Sequence, residues 1–335
     1  MKYQDILKTE EALTVVKETF ARELAKQLSL VKVSAPIAVL DGTGINDDLN
    51  GIERPVSFPV KSLQEQKAVV VHSLAKWKRL RLKELGVEKG KGILTDMRAL
   101  RPDEDYSPIH SIYVDQWDWE KHIDPSERTL SYLKSSVTKI YDALKTTEKT
   151  IAELYPEIPA VLPETITFIH TEEVLKKYPI LTPKEREMAI SKEYGAVFLI
   201  GVGGKLSDGE IHDGRAADYD DWSSPNEDGY FGLNGDILLW HPVLQSSFEV
   251  SSMGIRVDSE ALLRQLEEKD CLERTKLKFH DMLLKDQLPQ SMGGGIGQSR
   301  ICMFMLKKSH IGEVQVSIWP EEEKLKMVAQ GVQLL

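Results

Sequence analysis

Arg98-Ala99-Leu100-Arg101-Pro102-Asp103-Glu104-Asp105, followed after a short spacer by Tyr113-Val114-Asp115-Gln116-Trp117-Asp118-Trp119-Glu120, reads as strand, polar loop, strand. Side chains alternate across a strand, so Asp115, Trp117 and Trp119 share one face and Gln116, Asp118 and Glu120 the other. Half-buried amides and carboxylates cost free energy unless they are paired. The second face therefore reads as the wall of a polar ligand pocket, with a solvated outer face as the alternative.

Outward from this pair, strands and helices follow one another without regular alternation. Glu10 to Leu28 carries Leu13, Val16, Phe20, Leu24 and Leu28 at helical spacing. Val31 to Leu40 has strand character, confined by Pro36 to an edge or an end, and Asp41-Gly42-Thr43-Gly44 forces a turn. Val69-Val70-Val71 reads as a buried strand, and the basic run Lys76 to Lys83 as a solvated helix face. Asp124-Pro125-Ser126-Glu127 is a capping box that predicts the start of a long helix carrying Leu130, Leu133, Val137, Ile140, Leu144, Ile151 and Leu154, stopped by Pro156. Thr182-Pro183-Lys184-Glu185 caps a shorter one, and Ala196 to Gly201 is an apolar run suited to a central strand. Asp236 to Trp240, Phe248 to Ser252 and Val314 to Trp319 are further strand candidates, with a helix starting near Asp258. This order predicts an α+β fold, an antiparallel β-sheet flanked by helices, in preference to a doubly wound parallel sheet.

The 335 residues suffice for a large core, arranged as one unit or two. With 43 basic and 53 acidic residues, net charge -10, the long-range field repels polyanions and argues against nucleic acid as partner. No stretch approaches the roughly 18 apolar residues of a membrane span and the N-terminus has no signal-peptide run, so a cytoplasmic protein is expected. Cys271 and Cys302 lack metal-ligand or disulfide spacing. Gly201-Val202-Gly203-Gly204-Lys205 and Gly293-Gly294-Gly295-Ile296-Gly297 fit neither the P-loop nor the dinucleotide fingerprint. The second run, ahead of Arg300 and an apolar segment, reads either as a place where backbone approaches a flat ligand or as a bend before a core helix.

The strand-loop-strand with Arg101 and the run Gly293 to Arg300 resemble motifs 2 and 3 of class II aminoacyl-tRNA synthetases, and Lys32 to Leu40 resembles motif 1. His72-Ser73-Leu74-Ala75-Lys76-Trp77-Lys78-Arg79, Leu100 to Asp105, Tyr113 to Glu120, Gly203 to Gly209, Tyr219-Asp220-Asp221-Trp222 and Ser251-Ser252-Met253-Gly254-Ile255-Arg256 are similar to the aspartate-ammonia ligase family, over about residues 10 to 320. The resemblance implies one catalytic domain over 1–335, with motif 1 near 15–40, motif 2 near 96–120 and motif 3 near 292–306. It also implies a homodimer and conversion of ATP, L-aspartate and ammonia into L-asparagine, AMP and diphosphate through a β-aspartyl adenylate. Arg101 is then expected on the α-phosphate and the aspartate carboxylate, Arg300 near adenine and the γ-phosphate, and His110 and Gly295 on the ATP side. Asp236 and Glu249 become the expected Mg²⁺ ligands, consistent with the oxygen-only shell that Mg²⁺ takes. Asp118 or Asp220 would accept the substrate ammonium, and Lys78 or Arg215 its carboxylate, with Ser73, Ser252 and Arg256 nearby. Gln116 and Asp47, the latter chosen over its neighbour Asp48, resemble the catalytic pair, Asp47 taking a proton from ammonium.

No glutaminase nucleophile is evident, which favours free ammonia. The catalytic motifs leave no room for an appended anticodon-binding domain, which disfavours tRNA charging. Another adenylate-forming relative, or a non-catalytic protein that binds aspartate, asparagine or AMP, are the alternative functions.

Overall fold

A computed structural model describes residues 3–47, 49 and 53–335; Asp48 lies outside the described residues. The apolar stripe of the first helix extends it further back than its clearest repeats: α1 is Tyr3–Leu28, and Leu13, Val16, Phe20, Leu24 and Leu28 are all buried. The strand predicted around Pro36 divides into β1 (Leu30–Lys32) and β2 (Ala38–Leu40), which join different sheets. A three-stranded sheet in the order β2-β4-β3 forms with β3 (Ser57–Val60) and β4 (Gln66–Val70). Next come α2 (Ala75–Glu84), the antiparallel pair β5 (Gly92–Leu100) and β6 (Tyr113–His122), and α3 (Leu130–Leu154). The strand β7 (Thr167–His170) leads through α4 (Thr171–Lys177) and α5 (Pro183–Tyr194) to β8 (Ala196–Ile200). The chain closes with β9 (Asn234–His241), β10 (Ser246–Ile255), α6 (Ser259–Glu268), α7 (Lys278–Leu284), β11 (Ser291–Gly297), α8 (Gln298–Met305) and α9 (Glu321–Ala329).

The large sheet has eight strands in the order β1-β5-β6-β11-β10-β9-β8-β7. Its inner pairs are antiparallel, but both edges, β1 with β5 and β7 with β8, are parallel. The expected antiparallel sheet is thus a mixed one. Parallel neighbours need a crossover, and the chain supplies them: α4 and α5 between β7 and β8, and the small sheet with α2 between β1 and β5.

One face of this sheet is dry. Trp117, Trp119, Phe198, Phe248 and Ile296 pack there against α1, α3 and α8. The opposite face is covered by α4 and α5 over β8 and β9, and by α2 beside β5, β6 and β11. Between these covers the middle of the face is left open.

Three local expectations change. The Asp124 capping box is present, but it closes the single turn Pro125–Glu127; the long helix begins one turn later, where the Thr129 hydroxyl accepts the Tyr132 N–H at 3.1 Å. Val314 to Trp319 forms no strand. Its alternation is that of an extended segment with Val314 and Trp319 buried and Val316 and Ile318 exposed, held by the Gln315 and Ser317 side chains on the Ser111 hydroxyl. The basic run on α2 is solvated only at its end, at Arg81 and Lys83: Lys76, Lys78 and Arg79 are each 1% exposed, because each finds buried acceptors.

Phe20 meets Trp117 at 4.7 Å between ring centroids, joining α1 to the dry face of the sheet. Phe20→Ala should lower stability by about 3–5 kcal/mol through lost burial and an unfilled cavity, read from the urea midpoint.

Candidate active site

The open middle of the second face is a cavity of about 610 Å³. Its floor is β6, β11 and β10, whose alternation turns Gln116, Asp118, Gly295, Ser252 and Glu249 into it. The glycines of β11 are a steric requirement here: a Cβ on Gly295 would sit 2.5 Å from Gln116 Oε1, and one on Gly293 would overlap the Glu120 carboxylate. The run is a strand feeding α8, not a bend.

At one end of the floor lies a buried ionic cluster. Arg256 donates Nε to Glu120 Oε1 at 3.0 Å and Nη2 to Glu120 Oε2 at 2.8 Å, while Nη1 pairs with Asp220. Ser291 Oγ donates to Glu120 at 2.7 Å. Lys78 pairs with Asp118, reaches Glu120 at 4.0 Å and donates to the Gly294 carbonyl at 2.9 Å. Two cations thus face three carboxylates, and Asp118 Oδ2 is buried without a donor. Burial disfavours ionisation of Glu120, but Arg256 and Lys78 outweigh it and hold its carboxyl below the usual range. At Asp220 burial wins over Arg256 and raises the pKa. Burial likewise lowers Lys78, against the pull of Asp118. A cluster carrying excess negative charge and an undonated carboxylate oxygen is suited to a small cation such as an ammonium group.

Above the floor, Asp47 is 2% exposed and accepts from Ser73 Oγ at 2.9 Å, while His72 Nδ1 meets the Asp47 carbonyl at 3.1 Å. Arg101, at the end of β5, donates Nη2 to the His72 carbonyl at 3.2 Å and keeps a buried Nε without a partner.

The other end carries two arginines, each braced by acids. Arg300 donates to the Glu249 carbonyl at 2.9 Å and to His110 Nε2 at 2.8 Å; the opposite ring nitrogen of His110 meets Ser107 Oγ at 2.8 Å. A guanidinium only donates, so His110 Nε2 accepts and the ring is neutral. Burial, reinforced by Arg300, pushes the imidazole down to about 4. Arg215 pairs with Asp236 and contacts Asp213 at 3.4 Å. Burial, opposed by Arg215 and aided by Glu249, raises Asp236 to about 7.

Residues 7–331 match the protein family described as Aspartate-ammonia ligase. The chain belongs to the aspartate-ammonia ligase family. It is 56% identical to the aspartate--ammonia ligase of Parabacteroides distasonis over 331 residues, 99% of this chain and 96% of that one. It is 57% identical to that of Clostridium perfringens over 314 residues, 94% and 91% of the two chains. Among solved structures it is similar to an asparaginyl-tRNA synthetase from Pyrococcus horikoshii complexed with asparaginyl-adenylate, with TM-score 0.67 and 15% identity over 93% of this chain and 70% of that one. It is also similar to the enzyme from Entamoeba histolytica, with TM-score 0.65 and 12% identity over 93% and 66% of the two chains. This ligase-family chain therefore has the class II synthetase fold.

Of the residues anticipated from the family, Asp47, Ser73, Lys78, Arg101, His110, Gln116, Asp118, Arg215, Asp220, Glu249, Ser252, Arg256, Gly295 and Arg300 all line the one cavity. Asp236 does not; it stands behind Arg215, opposite Ser252 in the ladder. Lys184, Asp213, Tyr219 and Glu104 line the cavity too and were not anticipated. The capping box of α5 locates Lys184 on a first helical turn, and Tyr219 opens a sequence word shared with the family; neither signal reveals where the side chain sits.

The folded chain protonates His110 only near pH 4, the unfolded chain near its ordinary value of about 6.5. Stability present above about pH 6.5 should therefore drain away as pH falls toward about 4. His110→Gln should flatten that limb in urea midpoints measured across the range.

Proposed function

We propose that this chain makes L-asparagine from L-aspartate, ammonia and ATP, with AMP and diphosphate as co-products, through a β-aspartyl adenylate. The observation that carries the reading is the lining of one cavity: a buried cluster of Asp118, Asp220, Lys78 and Arg256, backed by Glu120, at one end, Arg215 and Arg300 braced by acids at the other, and Arg101, Gln116 and Asp47 in the same wall. Asp118, with an undonated oxygen, is the better acceptor for the substrate ammonium, and Asp220 serves chiefly to hold Arg256. Arg101 would neutralise the aspartate β-carboxylate and the α-phosphate as they are brought together. The carboxylate oxygen bonds to the α-phosphorus and diphosphate leaves; fixed positive charge where negative charge develops is the main catalytic resource for this step. Gln116 would hold the activated carbonyl. Asp47 would take a proton from ammonium, whose nitrogen then bonds to the acyl carbon as AMP departs.

Arg300, backed by Glu249 and neutral His110, would bracket the nucleotide. Asp236, whose Oδ1 is buried without a partner, and Glu249, whose side chain lines the cavity, fit Mg²⁺ in chemistry as carboxylate oxygen donors and would hold it. Mg²⁺ favours one or two carboxylates plus phosphate oxygens over an all-protein cage, and among the described residues no three acids, histidines or cysteines gather as such a cage. The ion would shield phosphate charge.

The net charge of -10 supports ammonia over tRNA as acceptor. Among the described residues no helix is long and apolar enough to cross a membrane. A cytoplasmic homodimer with one catalytic domain per chain completes the proposal.

Incubation with ATP, Mg²⁺ and L-aspartate, with and without ammonium, tests the reading: asparagine and AMP should appear one for one, only with ammonium. Pyrophosphate exchange without asparagine would move the chain to another acceptor. Arg101→Ala should cut adenylation by about 10²–10³-fold, measured as aspartate-dependent exchange of labelled pyrophosphate into ATP. Asp47→Asn should reduce amide formation by roughly 10²-fold or more while sparing that exchange.

A further inference from the structure

A loop that presents a carboxylate to reactants has to be held from behind, and the loop bearing Asp47 rests on α7. Phe279 N–H donates to the Thr43 carbonyl at 3.2 Å. Ile45 packs against the apolar cluster that contains Ala261, Leu262, Phe279 and Leu283. Gly44, at φ +71°, lies so close to the His280 ring that a Cβ there would come within 2.9 Å of Nδ1 and of Leu277 Cβ. The turn leading to Asp47 thus takes its place from an imidazole.

His280 is fully buried and directs Nε2 at Asp218, 2.9 Å away. Asp218, also without exposure, receives Lys76 Nζ at 2.8 Å and has Arg274 at 3.6 Å. Burial opposes charge on Asp218, but Lys76 and His280 reverse that and hold its carboxyl far below the usual range. Lys76 lies on α2, two residues before Lys78, and Asp218 immediately precedes Tyr219 and Asp220 in the cavity wall. Neither Asp218 nor His280 lines the cavity. Burying an ionic group costs free energy that only close, well-oriented partners offset, and here one carboxylate, between His280 and Lys76, locks the helix under the Asp47 loop to the helix that carries Lys78.

We propose that Asp218 and His280 are a positioning pair that fixes Asp47 relative to the substrate-side residues, and so governs ammonia transfer without touching a reactant. The inference rests on Asp47 acting in the ammonia step.

The test pairs ammonium kinetics with aspartate-dependent pyrophosphate exchange. His280→Leu should slow amidation or raise the ammonium KM by about 10- to 100-fold, with exchange within about two-fold of wild type, because small displacements of a catalytic group carry costs of this size. His280→Gln, which still offers an N–H to Asp218, should recover most of the loss. Gly44→Ala, which pushes the loop off the ring with the ion cluster intact, should reproduce the His280→Leu behaviour, and it decides the matter if His280→Leu does not fold. Equal loss of both activities in the folded variants, or wild-type amidation in them, overturns the proposal. Asp47→Asn runs alongside: equal loss of both activities there defeats the reading of Asp47, whereas a selective Asp47→Asn with an unselective His280→Leu defeats the positioning pair alone.

Discussion

Arg256, only 2% exposed, must be neutralised from two directions at once, by Glu120 on β6 and by Asp220 on the loop before β9. Desolvating a guanidinium is costly, and its attraction to carboxylates offsets that cost only in good geometry with the remaining donors satisfied. Much of the site's shape follows from that requirement. Glu120 needs Ser291 and Lys78 as further partners, Lys78 brings α2 down on the sheet, and Gly293 leaves the room that the Glu120 carboxylate occupies. The polar cluster can stand in the middle of a sheet because the other face of the same strands is continuous apolar packing, with Trp117 and Trp119 alternating against Asp118 and Glu120 on one strand.

Charge is also paired along the floor. Acids and cations are interleaved where Asp118 and Asp220 meet Lys78 and Arg256; at the other end Arg215 and Arg300 are each braced by acids, Asp236 and Asp213 for the first and Glu249 for the second, beside neutral His110. Fixed charges in a water-poor cleft need not reorganise when a reactant's own charge shifts. A zwitterionic amino acid and a polyphosphate can then each meet side chains of both signs that are already held in place.

What could be read from the sequence divides along physical lines. Elements with a strong period, such as α1, β6 and the stripe of α3, declared themselves, because a repeat of apolar side chains has one cheap solution. The start of α3 did not: Asp124 to Glu127 satisfies every rule for a helix cap, yet a one-turn helix satisfies it equally well. The parallel edges escaped because pairing direction depends on crossovers, not on the strand's own residues. Lys76 to Lys83 looked solvated because burial of a lysine depends on acceptors such as Asp218, 142 positions away. Most of the site was legible only through family words shared around Ser73, Arg101, Gln116 and Arg256. Lys184 and Asp213 lie on elements whose residues are visible in the sequence but whose aim is set by packing.

The cavity floor joins β6, ending at His122, to β11, beginning at Ser291, and β11 in turn to β10. During synthesis, therefore, the acidic face of β6 leaves the ribosome with its neighbour still about 170 residues from being made. Glu120 must wait, unpaired with Arg256 and Ser291, until most of the chain is available. The pocket is among the last parts of the molecule to acquire its final chemistry.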